Sequence, residues 1–319
     1  MSGRARAITP LLVALIVGWL ATAPSTAAAR PYPNQSLGTR GVDVKALQGL
    51  LMHRGAPLRV DGVFGATTDV AVRSFQVANG LPVNGQADEG TWVKLVVRVQ
   101  TGSTGEAVKV LQRQLNEKRL AGLPVDGVFG ASTKGALVAY QRHAGLAQTG
   151  VAGPLTWRYL ISAFERPVFG SRVCDYQVGN GRADWGTAAA IGQIEAAAVT
   201  VVAQSHGRVA IGDIGFEYGG TIAAHTSHRY GLDVDVRPMH TDKRQCSWGG
   251  SYRTATYDRA ATRDLVKAVR AAAPGHVKLI WFNDPVLVRE GLVRWHTGHD
   301  DHLHIRYCEK VHPVAAYDC

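Results

Sequence analysis

Apolar residues are distributed along this chain in three different ways. From Leu11 to Leu20 they form one continuous run, behind Arg4 and Arg6 and ahead of a small-residue stretch ending Ala27-Ala28-Ala29. Further on they recur at helical spacing. Val44, Leu47, Leu50 and Leu51 share one helix face, Val108, Leu111 and Leu115 share another, and Ala71, Phe75 and Ala78 line a third. In the last third, short strand-like segments take over. Residues 199–202 and 208–212 read as apolar strands, and Val277 to Phe282 reads as another. Leu232 to Val236 alternates apolar with acidic, and His302-Leu303-His304-Ile305 alternates as well. A helix is predicted from Thr262 to Ala273 through Leu265, Val266 and Val269. The expected fold is multidomain: two small all-α modules followed by an α+β domain with an antiparallel sheet.

The first run is too short to cross a bilayer comfortably, which takes about 20 residues. Its basic, apolar and small-residue order is that of a secretory signal peptide over residues 1–29, with an uncleaved anchor as the alternative. The mature chain would run from Arg30 to Cys319, with no later run long enough to span, in an oxidising compartment. The four cysteines are then expected in disulfides. Of the three possible pairings, Cys308-Cys319 with Cys174-Cys246 is favoured, because the first closes a short C-terminal loop.

The helical region is a repeat. Asp61-Gly62-Val63-Phe64-Gly65 returns as Asp126-Gly127-Val128-Phe129-Gly130, and Gly80-Leu81 and Thr91-Trp92 return as Gly145-Leu146 and Thr156-Trp157. Leu47-Gln48 matches Leu111-Gln112 upstream. The Asp-Gly pairs mark turns. Thr67 and Ser132 are candidate N-caps, and Gly80 and Gly145 stand where glycine ends a helix. Phe64, Phe129, Trp92 and Trp157 are expected in the core.

Composition narrows the classes. With 46% hydrophobic residues in 319, the chain is neither collagen, coiled coil nor disordered, and is long enough for two or three cores. Its net charge of +10 is uneven. Residues 30–164 hold 15 Lys and Arg against 8 Asp and Glu, whereas residues 165–319 hold 18 against 17. A basic half favours a polyanion. No nucleic-acid-binding motif is visible and the basic residues are dispersed, so an anionic wall is the expected partner rather than nucleic acid. No protein partner is evident.

Ten of the twelve histidines lie beyond residue 165, six of them in two clusters. One cluster is His225-Thr-Ser-His228, followed by Asp233 and Asp235. The other is His296, His299, His302 and His304. Alternation puts Asp233 and Asp235 on one strand face and His302 and His304 on another. Two such strands facing one cleft can assemble three imidazole and carboxylate ligands, a set that suits zinc with a fourth position open to water. Asp233 is read as supporting a ligand, with direct ligation in another register as the alternative. Asp300 and Asp301 either orient histidines or are solvated. There is no His-Glu-x-x-His, no Gly-x-Ser-x-Gly and no Ser-x-x-Lys.

Two resemblances follow from these motifs. The Leu-Gln helix, Asp-Gly-x-Phe-Gly, Phe-Gln or Tyr-Gln, Gly-Leu and Thr-Trp pattern resembles the three-helix bacterial peptidoglycan-binding domain, over residues 37–98 and 101–162. Residues 165–319 would form the zinc peptidase domain. Gly212-Asp213, Gly219-Gly220, His225-Thr-Ser-His228 through Asp235, and Gly298-His299-Asp-Asp-His302-Leu-His304-Ile-Arg306 resemble the penicillin-insensitive murein endopeptidases. These share His-x(6)-Asp and His-x-His with zinc D-alanyl-D-alanine peptidases.

The resemblance implies that His228, Asp235 and His304 ligate one zinc, that His225 lies at the metal and is a further ligand candidate, that His302 is catalytic and that His299 lies in the cleft. A second peripheral metal pair is not found; Asp258 is its one candidate and lacks a partnering histidine. The activity implied is cleavage of D-alanyl to meso-diaminopimelyl cross-links by a secreted or periplasmic, wall-associated enzyme. A zinc D-alanyl-D-alanine carboxypeptidase and a non-catalytic wall-binding protein are the alternatives.

Overall fold

The computed structural model describes residues 30–177, 183–223 and 225–319. The expected signal peptide, residues 1–29, lies outside them. Among the described residues no helix is long and apolar enough to cross a membrane.

Each repeat folds as three helices. The first contains α1 (Val42–His53), α2 (Ala66–Ala78) and α3 (Glu89–Leu95), and the second α4 (Glu106–Arg119), α5 (Ala131–His143) and α6 (Pro154–Ile161). The glutamine of each Leu-Gln pair is a buried plug for the loop that follows. Gln48 donates to Asp61, the Val63 carbonyl and Thr68, and accepts the Gly62 N–H at 2.9 Å. Gln112 repeats this with Asp126, Val128, Thr133 and Gly127. Phe64, Phe129, Trp92 and Trp157 are buried as expected, and the two indole N–H groups donate to the Pro33 and Val97 carbonyls. Gly80 and Gly145 follow their helices with φ of +65° and +69°, the left-handed conformation glycine permits. Thr67 and Ser132 are not the N-caps: they lie inside α2 and α5, which start two residues earlier than such caps would allow, behind Gly65 and Gly130. The two repeats share one core, with α1 packed on α4.

The second core belongs to the C-terminal domain. Its elements are β1 (Val173–Asp175), α7 (Ala188–Ala203), β2 (Val209–Ile211), β3 (Asp233–Val236), α8 (Arg259–Ala272), β4 (Val277–Trp281), α9 (Pro285–Arg289), β5 (Leu303–Tyr307) and a closing 3-10 turn (Ala315–Tyr317). The five-stranded sheet has the order β1-β2-β3-β5-β4. It is mixed rather than antiparallel throughout. β1 runs parallel to β2, because α7 carries the chain back to the same end before β2 begins, while the other neighbours are antiparallel. Residues 199–202, expected as a strand, are the last turns of α7. The alanine-rich stretch before them is a strong helix former and carries the β-branched residues along, with Thr187 as N-cap.

Register divides the sheet faces. Asp235 pairs with His304 and His304 with Trp281, while Val234, Ile305 and Ile280 pair on the opposite side. The apolar face packs against α7 and α8 through Ile191, Ile194, Leu265 and Val269. The other face carries the histidines and acids. Two disulfides join Cys174 to Cys246 and Cys308 to Cys319, with Cα separations of 5.9 and 5.3 Å.

Candidate metal centre

Strand pairing brings Asp235 of β3 beside His304 of β5, and the loop before β3 lays His228 across them. Asp235 Oδ1 lies 3.0 Å from His304 Nδ1, Asp235 Oδ2 lies 3.3 Å from His228 Nε2, and the two imidazole nitrogens are 3.2 Å apart. A tetrahedral ion with bonds of about 2.0 Å separates its ligand atoms by about 3.3 Å, so the two nitrogens and the Asp235 carboxylate between them have the spacing of zinc ligands.

Each ring is oriented by its other nitrogen. His228 Nδ1 donates to the Ile214 carbonyl at 3.1 Å, and His304 Nε2 donates to Asp233 Oδ1 at 3.0 Å. Both bonds leave the inward nitrogen as the metal-facing one, the arrangement that fixes a ligating histidine. His228 has φ of +65°, uncommon for a residue with a Cβ, and its N–H donates to Asp233 Oδ2 at 2.9 Å.

Asp233 is the hub of this support. Its oxygens also accept Arg306 Nε at 2.7 Å and the Tyr317 hydroxyl at 2.6 Å. Burial alone would push the Asp233 carboxyl up, but the bond from His304 and the charges of His304, Arg306 and His228 hold it well below the usual range. Asp235 is likewise held low, against its burial, by hydrogen bonds and charge from His228 and His304. Burial lowers the His304 imidazole, yet the two carboxylates raise it to about 9. The proton held between His304 and Asp235 stands where a cation would replace it.

The other histidines border this junction. Ligand atoms of His225, His228 and Asp235 lie within 4.8 Å of one another, and His225 Nε2 is 3.3 Å from Asp213 Oδ2. His302 is part-exposed, its Nε2 3.9 Å from Asp235 and its Nδ1 2.9 Å from Asp301. His299 stands 4.8 Å from the His302 ring and donates to the Thr297 carbonyl; burial pushes it down to about 4. Asp300 braces the loop instead, bonded to Arg253 and Asn283. Asp258 is the N-cap of α8, its carboxylate accepting the Ala261 N–H.

Three nearby residues escaped the sequence reading. Trp281 stacks between His304 and His296, at centroid distances of 4.9 and 4.1 Å. Asp213, quoted only inside a motif, is a buried carboxylate whose Oδ1 has no partner among the described residues. Tyr176 presses on Gly212, where a Cβ would meet its hydroxyl oxygen at 2.3 Å. The signal available for the last was the glycine before Asp213, which marks a close approach without naming the partner.

Comparison with known proteins agrees with the division into modules. A putative peptidoglycan binding domain matches residues 40–95 and 104–160, and the penicillin-insensitive murein endopeptidase family matches residues 172–280. The second match contains His225, His228 and Asp235 and stops before His302 and His304. Among curated proteins, the chain is 38% identical over 121 residues to N-acetylmuramoyl-L-alanine amidase CwlM of Mycobacterium tuberculosis, covering 34% of this chain and 30% of that protein. It is 45% identical over 58 residues to an uncharacterized protein of Kitasatospora aureofaciens, covering 18% of this chain and 49% of that one. It is 44% identical over 63 residues to the zinc D-Ala-D-Ala carboxypeptidase of Streptomyces albus G, covering 18% and 23%. The chain thus spans less than half the length of each of these relatives. The chain carries two peptidoglycan-binding domains followed by a domain of the penicillin-insensitive murein endopeptidase family.

Proposed function

We propose that the protein is an exported, wall-associated peptidoglycan hydrolase, a zinc D,D-endopeptidase that cuts D-alanyl to meso-diaminopimelyl cross-links. The observation that carries this reading is the convergence of His228, Asp235 and His304 at 3.0 to 3.3 Å, each ring steered by an outer hydrogen bond. His228, Asp235 and His304 would hold one zinc, with His225 at its side. Zinc bound there lowers the pKa of a water toward ~7 and polarises the scissile carbonyl.

The chain's own groups do the rest. His302 takes the proton of the attacking water at Nε2, while Asp301 holds its Nδ1–H at 2.9 Å. His299, kept neutral by burial, faces the same cleft. No covalent acyl-enzyme is needed, so β-lactams have no serine to modify. The two N-terminal modules raise the local concentration of the enzyme at the wall.

The test is digestion of isolated peptidoglycan by the purified protein, with and without a zinc chelator, read by mass spectrometry of the muropeptides. Chelator-sensitive conversion of cross-linked dimers to monomers is expected. Loss of terminal alanine alone would make it a carboxypeptidase, and pelleting with the wall without any cleavage would make it a binding protein.

A further inference from the structure

The row of the sheet next to the metal junction carries a guanidinium, Arg237, that no carboxylate meets within ion-pair distance among the described residues, although the charge of Asp301 reaches it. Cys174 of β1 pairs with Ala210 of β2, and Ala210 accepts the N–H of Arg237. Arg237 follows Asp235 by two residues, so strand alternation puts both side chains on one face. Its guanidinium lies over the Tyr176 ring at 4.1 Å, the ring that fills the space above Gly212 beside Asp235.

Arg237 is half-buried and takes part in no ion pair among the described residues, and residues 1–29, 178–182 and 224 contain no Asp or Glu that could supply one. Of its five N–H donors, one is committed, Nη1 to the Gln245 carbonyl at 3.0 Å. The loop that borders it is tied to the same sheet row by Cys174-Cys246 and brings Gly249 close, where a Cβ would stand 3.3 Å from Nη2. Trp248, 62% exposed, stands on that loop.

We infer that Arg237 is a specificity-determining residue, binding a carboxylate of the substrate peptide next to the metal junction with its free guanidinium edge. The inference rests on the proposed peptidase reading. A guanidinium stacked on one face keeps its planar fork of donors at the rim, the geometry that takes a carboxylate in two parallel bonds. The loop held by the disulfide is then the outer wall of that subsite.

Two substrates test it on the full-length protein: a cross-linked muropeptide dimer with free carboxylates, and the same dimer after amidation of those carboxylates. The wild-type protein is expected to have a KM for the acid about 10- to 100-fold lower than for the amide, the range of a charge-assisted pair. Arg237→Gln is expected to raise the KM for the acid to that of the amide, and Arg237→Lys to restore part of the gap. Equal KM values for the two dimers in wild type overturn the inference without any variant, and so does a gap that survives Arg237→Gln. Calorimetric binding of both dimers separates the two readings. If neither dimer is cleaved, the peptidase reading fails, and the subsite stands or falls on whether wild type binds the acid more tightly and Arg237→Gln does not.

Discussion

At the residue scale, the junction separates groups that would touch the ion from groups that only aim them. His228→Ala removes one of three converging side chains and is expected to abolish zinc retention and hydrolysis while leaving wall binding intact. Retained hydrolysis would overturn the ligand assignment. His302→Ala is expected to keep zinc and lose about 100-fold or more in turnover, the scale of a lost proton-transfer group; zinc loss would make His302 a ligand. Tyr317 is the sharper case, because it comes from the closing 3-10 turn and donates to Asp233 at 2.6 Å, which in turn accepts His304. Tyr317→Phe keeps the ring and removes one of the two hydrogen bonds that Asp233 Oδ2 accepts, leaving the His228 N–H. Zinc affinity, measured by competition with a chromogenic chelator, is expected to fall about 10- to 100-fold with little change in Tm. Unchanged affinity would show that His228 N–H, Arg306 and His304 suffice to fix Asp233. The histidine clusters were legible because Asp235 and His304 lie on paired strands whose alternation points both to one face, and His-x(6)-Asp and His-x-His are short enough to carry His228 and His302 to the same junction. Tyr317, Trp281 and Asp213 were not, since their roles depend on which distant segments meet, and no local spacing encodes that.

At the element scale, the repeats show why two glutamines and two Asp-Gly turns recur. Each Leu-Gln glutamine is buried and bonded both to its loop's acid and to its loop's glycine N–H, so a single amide closes a loop that has no ladder of its own. Gln112→Leu leaves the Gly127 N–H and Asp126 without that partner. A loss of about 2–3 kcal/mol is expected from urea unfolding, the cost of orphaned buried polar groups, and Gln48→Leu should behave alike in the first repeat. A loss under about 0.5 kcal/mol would mean water replaces the amide. The periodic helices and the glycine ends were readable because each is set by its own few residues. The start of α2 and the end of α7 were misjudged for a related reason. Gly65 offers no side-chain cap, and the β-branched residues 199–202 follow an alanine-rich helix whose propagation outweighs their strand preference.

At the scale of the whole molecule, the modules are clasped rather than strung. Lys118, fully buried, ties Asp43 of the first repeat at 2.8 Å to the Ile161 and Ala163 carbonyls where the second ends. Glu309 of the peptidase domain accepts the Asn34 N–H at 3.2 Å, and Glu165 sits buried where the second repeat hands over to the sheet. Burial pushes both carboxyls up to about 8. The unfolded chain releases these protons in the ordinary carboxylate range, so between there and about 8 the folded state binds more protons. Stability from these groups is therefore complete below the unfolded pKa and is lost as pH rises through about 8, by at most about 1.4 kcal/mol per pH unit for each. Unfolding free energy at a fixed zinc concentration is expected to fall between pH 5 and pH 8. Glu309→Gln and Glu165→Gln should each flatten that fall, and the zinc contribution cancels in the difference from wild type. Parallel slopes for wild type and both variants would mean that the carboxyls ionise in place, with water or Lys118 meeting their charge. A flattened slope would place the pH sensitivity of this protein at the seam between its wall-binding and peptidase halves, because Glu309 and Glu165 are both buried at that seam.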